Sequence, residues 1–386
     1  MSLTRGTINV MRKFNILFLL LISCGILYCG DAGKNFPRAV DGVIDLRNWD
    51  FAKNGPVDLS GEWDFFWKEF YFEADFRDPA KNISRKKIKV PGLWNNQTAD
   101  RKNSSGDGYA TYRLRILLGN KNRSLAFMFF DMGTSLEAFA NGKKLVSEGR
   151  PGKTAKETLP GYRPQVADYV ADSDSVSLIL HIANFHHKNG GAWETIVLGE
   201  RDRIYAEKQK KIIYDFFIFG GIFIMGLYHL GLYFFRKRDR SPAYFSAVCF
   251  LFSLRILMTG EYYIIDFAPG ISWEMVLKLE YLSFYIGVPF FVTFLHSLFP
   301  EEFSRFILRV FQGLAAVFSA AVVVSNAKFF SHTVSVYELI VVFAGLYSSY
   351  VIVRALFKTI STMQEAACIN TRQGDGRSYR NSPRFL

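Results

Sequence analysis

Between residues 212 and 357 the chain is written as five apolar stretches, each long enough to cross a lipid bilayer, and this limits what the rest of the polypeptide can become. A bilayer core takes roughly 20 mostly apolar residues per helix, because no water is present there to satisfy open backbone groups. The stretches run over residues 212–235, 242–260, 276–298, 306–325 and 334–357. Such a half is expected to form a transmembrane helical bundle with the lipid bilayer as its first partner, and only the part before Ile212 is left to build a water-facing domain. The loops sort by charge. Arg236, Lys237, Arg238 and Arg240 crowd the first loop, whereas Glu261 to Glu274 holds no Lys or Arg and residues 326–332 hold only Lys328. Basic loops stay on the cytoplasmic side. The N-terminal half is therefore expected outside the cytoplasmic (inner) membrane, and an odd number of spans puts the C-terminus in the cytoplasm. The net charge of +12 finds its use largely in these loops, which turns the reading away from nucleic acid.

The N-terminus agrees with export. Arg12 and Lys13 precede the short apolar run Phe14 to Ile22, the pattern of a signal peptide, here assigned to residues 1–30. Leu21-Ile22-Ser23-Cys24 resembles a bacterial lipobox, which makes Cys24 a candidate lipidation site; ordinary signal cleavage nearby and an uncleaved anchor are the open alternatives. The cysteines are Cys24, Cys29, Cys249 and Cys368, so none is available to staple a domain over residues 41–200. No Cys/His cluster has metal-ligand spacing, and no cofactor is expected.

Residues 41–200 read as an antiparallel β-sandwich. Tyr112, Leu114, Ile116 and Leu118 alternate with Arg113 and Arg115, and Val176, Leu178, Leu180 and Ile182 alternate with Ser177 and His181, which is the period of a strand with one buried face. Asn141-Gly142 between two such runs predicts a tight hairpin. Trp63 and Trp94 are expected as core anchors, with a turn at Pro91-Gly92. Trp67, Tyr109, Tyr162, His186, His187 and Trp193 fall in or near loop-like segments. There an aromatic face could stack on a sugar, or the same rings could simply pack at the edges of the domain.

Four motifs then carry a resemblance: Leu59-Ser-Gly-Glu-Trp-Asp-Phe65, Val90-Pro-Gly-Leu-Trp94, Gly108-Tyr-Ala-Thr-Tyr-Arg113 and Ala138-Phe-Ala-Asn-Gly-Lys143. In this order they resemble the jelly-roll, galactose-binding-like domain that precedes the catalytic barrel of β-galactosidase and β-glucuronidase relatives. The same module resembles the ectodomain of bacterial seven-transmembrane receptors with diverse intracellular signalling modules. Met225 to Tyr244, continuing through Leu257 to Tyr262, is similar to the membrane region of that same receptor family.

The resemblance implies a sensor that binds an extracytoplasmic ligand, a carbohydrate among the candidates, and couples it to the helices and to a membrane or cytoplasmic signalling partner. Such receptors have seven spans and a cytoplasmic effector. Here five spans are followed by a polar tail over 358–386, expected to be disordered, so a truncated gene or a naturally short receptor is the expectation. A membrane-tethered carbohydrate-binding or scaffold protein without signalling output is the competing class. No nucleophile and base, paired carboxylates or phosphate loop can be assembled, so no enzyme is expected; Gly149-Arg-Pro-Gly-Lys153 lacks the phosphate-loop spacing. Residues 201–211 read as a linker. Within the spans Arg255 requires a partner. Glu261, Glu280 and Glu338 are the candidates, for a structural pair or for polar coupling between helices.

Overall fold

The computed structural model describes residues 36–96, 105–119, 123–161 and 163–378. The signal peptide with Cys24, and the ligand candidate Tyr162, lie outside them.

The N-terminal half is a β-sandwich. Its strands are β1 (Val43–Leu46), β2 (Val57–Asp58), β3 (Gly61–Trp67), β4 (Lys86–Val90), β5 (Gly92–Leu93), β6 (Gly108–Leu118), β7 (Ser124–Phe129), β8 (Ser135–Ala140), β9 (Lys143–Glu148), β10 (Gln165–Val170), β11 (Ser175–Asn184), β12 (Gly191–Ala192) and β13 (Val197–Glu200). One sheet runs β4-β3-β6-β11-β8-β9, and a second, smaller sheet runs β10-β7-β13-β2. β6 is long enough to take β3 antiparallel along its first half and β1 parallel along its second. The alternation works as expected: Tyr112, Leu114 and Ile116 face Leu180, Leu178 and Val176 across the β6/β11 ladder, and all six are fully or almost fully buried. Asn141 and Gly142 both take positive φ in the turn that joins β8 to β9. Trp63 and Trp94 are completely buried, and each indole N–H is satisfied, by Leu59 O at 2.9 Å and by Gly106 O at 3.0 Å.

The opposite face of the large sheet is not simply open to solvent. His181 and Ser177 are buried there too, because the segment after β3 folds back over the sheet. Phe70 and Phe72 lie against the His181 ring, and the short helices α1 (Phe51–Asn54) and α2 (Glu73–Arg77) belong to the connections on this half.

The second half is helical: α3 (Arg201–Phe235), α4 (Ser241–Met258), α5 (Ile264–Phe267), α6 (Trp273–Leu298), α7 (Arg305–Val324), α8 (Ala327–Phe330) and α9 (Thr333–Ser378). Five of these, α3, α4, α6, α7 and α9, are long and apolar enough to cross a membrane. Two boundaries differ from the sequence reading. Residues 201–211 are no linker: helix starts at Arg201 directly after β13, since the segment has neither Gly nor Pro and is rich in good helix formers, with Asp202 in the first turn. Likewise the tail expected to be disordered from residue 358 continues α9 to Ser378, over a run of Met, Gln, Glu and Ala that favours helix.

Pro289 sits inside α6, where it cannot donate to the carbonyl of Tyr285 one turn earlier. Tyr337 of α9 supplies the missing donor, its hydroxyl reaching Tyr285 O at 2.7 Å. A buried acceptor left open costs about 1–3 kcal/mol. Tyr337→Phe is accordingly expected to destabilise the bundle by about 1–2 kcal/mol, and the loss should vanish in a Pro289→Ala background, where residue 289 regains its own N–H. Equal losses in both backgrounds, measured by unfolding in bicelles, would show that the hydroxyl serves something else. Of the glycines in α3, only Gly226 meets a neighbouring helix closely, under Phe250 and Cys249; Gly220, Gly221 and Gly231 have open space where a Cβ would stand.

Candidate functional site: the junction between sandwich and helices

Both halves meet along one surface, built from three elements. The first is α3, a helix of 35 residues and about 52 Å at 1.5 Å per residue. Its first turns are clamped to the sandwich. Ile204 is fully buried, Arg201 pairs with Asp168 at 2.9 Å, Arg203 donates to Ala52 O at 2.9 Å and Lys208 to Pro164 O at 3.3 Å. No loop intervenes between β13 and this helix. The second element is the loop from Thr259 to Ser272 with α5. Tyr262 donates its hydroxyl to Asp131 Oδ2 at 2.7 Å, Asp266 pairs with Arg163 at 2.8 Å, and Tyr263 donates to Asp215 of α3 at 2.9 Å. The third is the loop around α8. Ser331 Oγ accepts from Lys188 N at 3.1 Å, Ser335 Oγ accepts from Lys188 Nζ at 2.8 Å, and Lys328 pairs with Asp107.

At the centre of this surface lie charges with little water. Glu261 is nearly buried and takes Lys211 at 2.9 Å and Lys208 at 3.7 Å. Asp131 Oδ1 and both carboxylate oxygens of Glu148 are buried and have no hydrogen-bond partner. Burial pushes Asp131 up to about 7; the Tyr262 hydroxyl and Lys211 oppose this, and Glu280 and Glu194 add to it. Burial likewise raises Glu148 well above its ordinary value, Asp131 adding and Lys208 opposing. Burial with few donors favours the protonated form of a carboxylate, so the junction holds two groups whose charge depends on how tightly the two halves close.

The sequence candidates for ligand contact divide between two places. Trp67 is half-buried, edge-on to the Trp94 ring at 5.2 Å, and the Tyr109 ring lies 4.9 Å from Phe70, both within the packing of the sandwich. His186, His187 and Trp193 lie on the junction side. His186 is 6.4 Å from the Trp273 ring at the start of α6, His187 is 5.0 Å from Trp193, and Trp193 packs against the cluster of Tyr262, Val276 and Tyr281. Burial lowers both histidines, His187 to about 4, so the pair is neutral at ordinary pH. These side chains are thus not gathered around one open sugar site. The junction itself escaped sequence reasoning, because its partners are far apart in the chain and each looks like an ordinary polar loop residue.

Of the candidate partners for Arg255, the structure selects Glu280. Arg255 Nη2 stands 3.7 Å from Glu280 Oε1, and Nη1 donates to Glu280 O at 3.0 Å. Glu261 is engaged by Lys208 and Lys211 instead, and Glu338 is exposed on α9. His229 bonds back to Met225 O at 2.9 Å. Among the described residues no group of three or more His, Cys, Asp or Glu could hold a metal ion.

Comparison with known proteins gives one family match and a set of remote structural likenesses. Residues 211–362 match the family described as 7TM diverse intracellular signalling. Among solved structures, a GH2 β-galacturonidase from Eisenbergiella tayi bound to glycerol is 17% identical over 38% of this chain and 24% of its own, with a TM-score of 0.26. A β-glucuronidase from an uncultured Clostridium sp. is 16% identical over 38% of this chain and 29% of its own, at 0.28. One from Faecalibacterium prausnitzii is 15% identical over 37% and 31%, at 0.27. The chain thus spans about a quarter to a third of those enzymes' length. No curated protein matches it.

Proposed function

Taking as premise that residues 211–362 form a membrane region of the 7TM diverse intracellular signalling family, we propose that this chain is a receptor-like sensor. The sandwich sits outside the cytoplasmic membrane, binds a small extracytoplasmic ligand and biases the packing of the spans. The far-side loops, Arg236 to Arg240 and Pro300 to Arg305, face the cytoplasm, as the basic residues Arg236, Lys237, Arg238 and Arg240 of the first favour. A ligand acts only through unequal affinity for two arrangements. The observation that carries the reading is the three-element junction, in which the sandwich grips α3, the loop with α5 and the loop with α8 at once, so that one domain holds the near ends of all the spans. His186, His187 and Trp193 serve there as coupling residues and not as a sugar platform, and Trp67 and Tyr109 stiffen the sandwich that bears on them.

The reading is tested by opening the junction and watching the opposite ends of the helices. Spin labels at Lys237→Cys and Glu301→Cys, in nanodiscs, report the spacing of the far-side loops. Tyr262→Phe combined with Asp266→Ala is expected to move the mean label distance by about 1–2 Å or more, the scale of helix shifts in switching proteins. An unchanged distance with the junction demonstrably loosened would favour a membrane-tethered scaffold that holds its ligand without informing the bundle.

A further inference from the structure

The face of the large sheet turned away from the sandwich core carries a polar cleft of about 680 Å³, within the ~300–1,000 Å³ range of small-molecule sites. Its floor follows from strand geometry. Arg113 and Arg115 are two residues apart on β6 and so project from the same face, and Ser177 of β11 pairs directly with Arg115 in the ladder. Residues of α2 form one wall, and the turn between β10 and β11 forms the other.

We propose that this cleft is the ligand site of the sandwich and that it takes a small hydroxylated carboxylate, of the acidic-sugar class. Three features of the lining point there. First, Arg113 is held ready. Its Nε donates to Ser177 Oγ at 3.0 Å, its guanidinium lies 4.1 Å over the Phe76 ring, and Glu73 stands 3.8 Å from Nη2. A guanidinium fixed on one edge and one face presents its remaining N–H groups as a planar fork, the geometry that matches a carboxylate. Second, the charge does not close. Arg77, Arg113 and Arg115 face only Glu73 and Asp172 among the lining residues. Glu73 is shared between Arg77 at 3.5 Å and Arg113, while Arg115 is exposed and makes no ion pair among the described residues. One negative charge is wanting, which suits a monocarboxylate better than a dianion. Burial also pulls the Arg113 guanidinium below its ordinary value; Glu73 and Asp64 oppose this, and Arg85 and Arg115 add to it. An anion between Arg113 and Arg115 would relieve that strain on charge. Third, the remaining lining is mostly polar, with hydroxyls from Ser173, Ser175 and Ser177, the Asn141 amide and the Asp172 carboxylate as partners for sugar hydroxyls beside Val176, and with no tryptophan or tyrosine on which a neutral ring could stack. Recognition here is electrostatic, so neutral sugars fit poorly.

The proposal deepens the sensor reading by naming where its ligand binds, and the two fail separately. Uronate that does not bind leaves the label-distance result untouched, and unmoved labels leave binding untouched. The experiment titrates the full chain in nanodiscs with D-glucuronate and D-galacturonate, with D-glucose and inorganic phosphate at matched ionic strength, by calorimetry. Saturable uronate binding is expected, at least tenfold tighter than glucose and phosphate. Arg115→Gln should weaken it at least tenfold and Arg77→Gln severalfold, with the melting temperature of the unliganded protein unchanged, since both side chains are exposed. Absence of saturable uronate binding, glucose or phosphate bound as tightly as uronate, or affinity indifferent to Arg115→Gln would each overturn the assignment.

Discussion

Raising the pH from about 4 to about 7 is expected to remove up to about 4 kcal/mol from the folded, docked state, because Asp131 is ordinarily near 3.8 and is pushed up to about 7, and each tenfold change in proton affinity is worth about 1.4 kcal/mol. The sign follows from the raised value. Below the unfolded carboxylate range both states are protonated and the closed junction keeps its full advantage. Between the two values only the closed state holds the proton, so stability falls as pH rises, and above the folded value the loss is complete. Glu148, raised in the same direction, deepens the loss. The groups facing these two are Glu194 on the sandwich, Lys208 and Lys211 on α3, Tyr262 on the loop before α5 and Glu280 on α6. Thermal unfolding of the full chain in nanodiscs across this window reads the effect. Asp131→Asn with Glu148→Gln should flatten the profile and stabilise the protein at pH 8, since each amide occupies its site without ionising. A double variant as pH-sensitive as the parent would place the titrating groups elsewhere. Acidic loosening below pH 4 is a separate process, carried by carboxylates held low, such as Asp45 beside the Arg47 guanidinium.

Most of the architecture was legible because local periodicity reports burial. Tyr112, Leu114 and Ile116 on β6, and their partners on β11, are apolar at every second residue because one side of each strand packs on the second sheet. The five spans declare themselves by length and apolarity alone. What periodicity cannot report is which distant segment covers a face. His181 alternates with apolar neighbours and so reads as solvent-facing, yet Phe70, Phe72 and Phe139 surround its ring and its Nε2 meets Tyr71 O at 2.8 Å. The junction is the extreme case. Tyr262 and Asp131 are 131 residues apart, and nothing local marks either as the other's partner. Residues 201–211 misled for another reason: a charged stretch between two apolar regions looks like a spacer, although the same residues are good helix formers and Arg201, Arg203 and Lys208 among them bind the sandwich. The arginine cleft lay open to view as the alternation of Arg113 and Arg115, but only α2 and the turn between β10 and β11, folded against the sheet, give it walls.

Removing Glu280 should be among the most damaging single changes in the bundle. Arg255 sits near the sandwich-side end of α4, where it lines a mainly apolar cleft of about 380 Å³ between α4, α6 and α9 and lies 5.3 Å from the Phe284 ring. In that setting its charge is held by Glu280, and deleting one member of a largely desolvated pair costs about 3–5 kcal/mol because the other is left uncompensated. Glu280→Ala is therefore expected to destabilise by about 3 kcal/mol, the lower end, since the backbone oxygen of residue 280 still accepts from Arg255 Nη1. Replacing both, as Arg255→Met with Glu280→Leu, should return stability to within about 1 kcal/mol of the parent, as apolar replacements of buried pairs generally do. If the double variant costs as much as the sum of the singles, measured by reversible unfolding in mixed micelles, the two side chains are not coupled. The same substitution reaches the junction. Glu280 is one of the charges that raise Asp131, so Glu280→Gln should move the pH profile of docking toward acid, while a destabilising change that is not among the groups acting on Asp131, such as Tyr337→Phe, should leave its position unchanged. A midpoint that shifts with Glu280 and stays with Tyr337 would tie the Arg255–Glu280 pair between α4 and α6 to the protonation of the sandwich's edge, which is the physical link the proposed sensor requires.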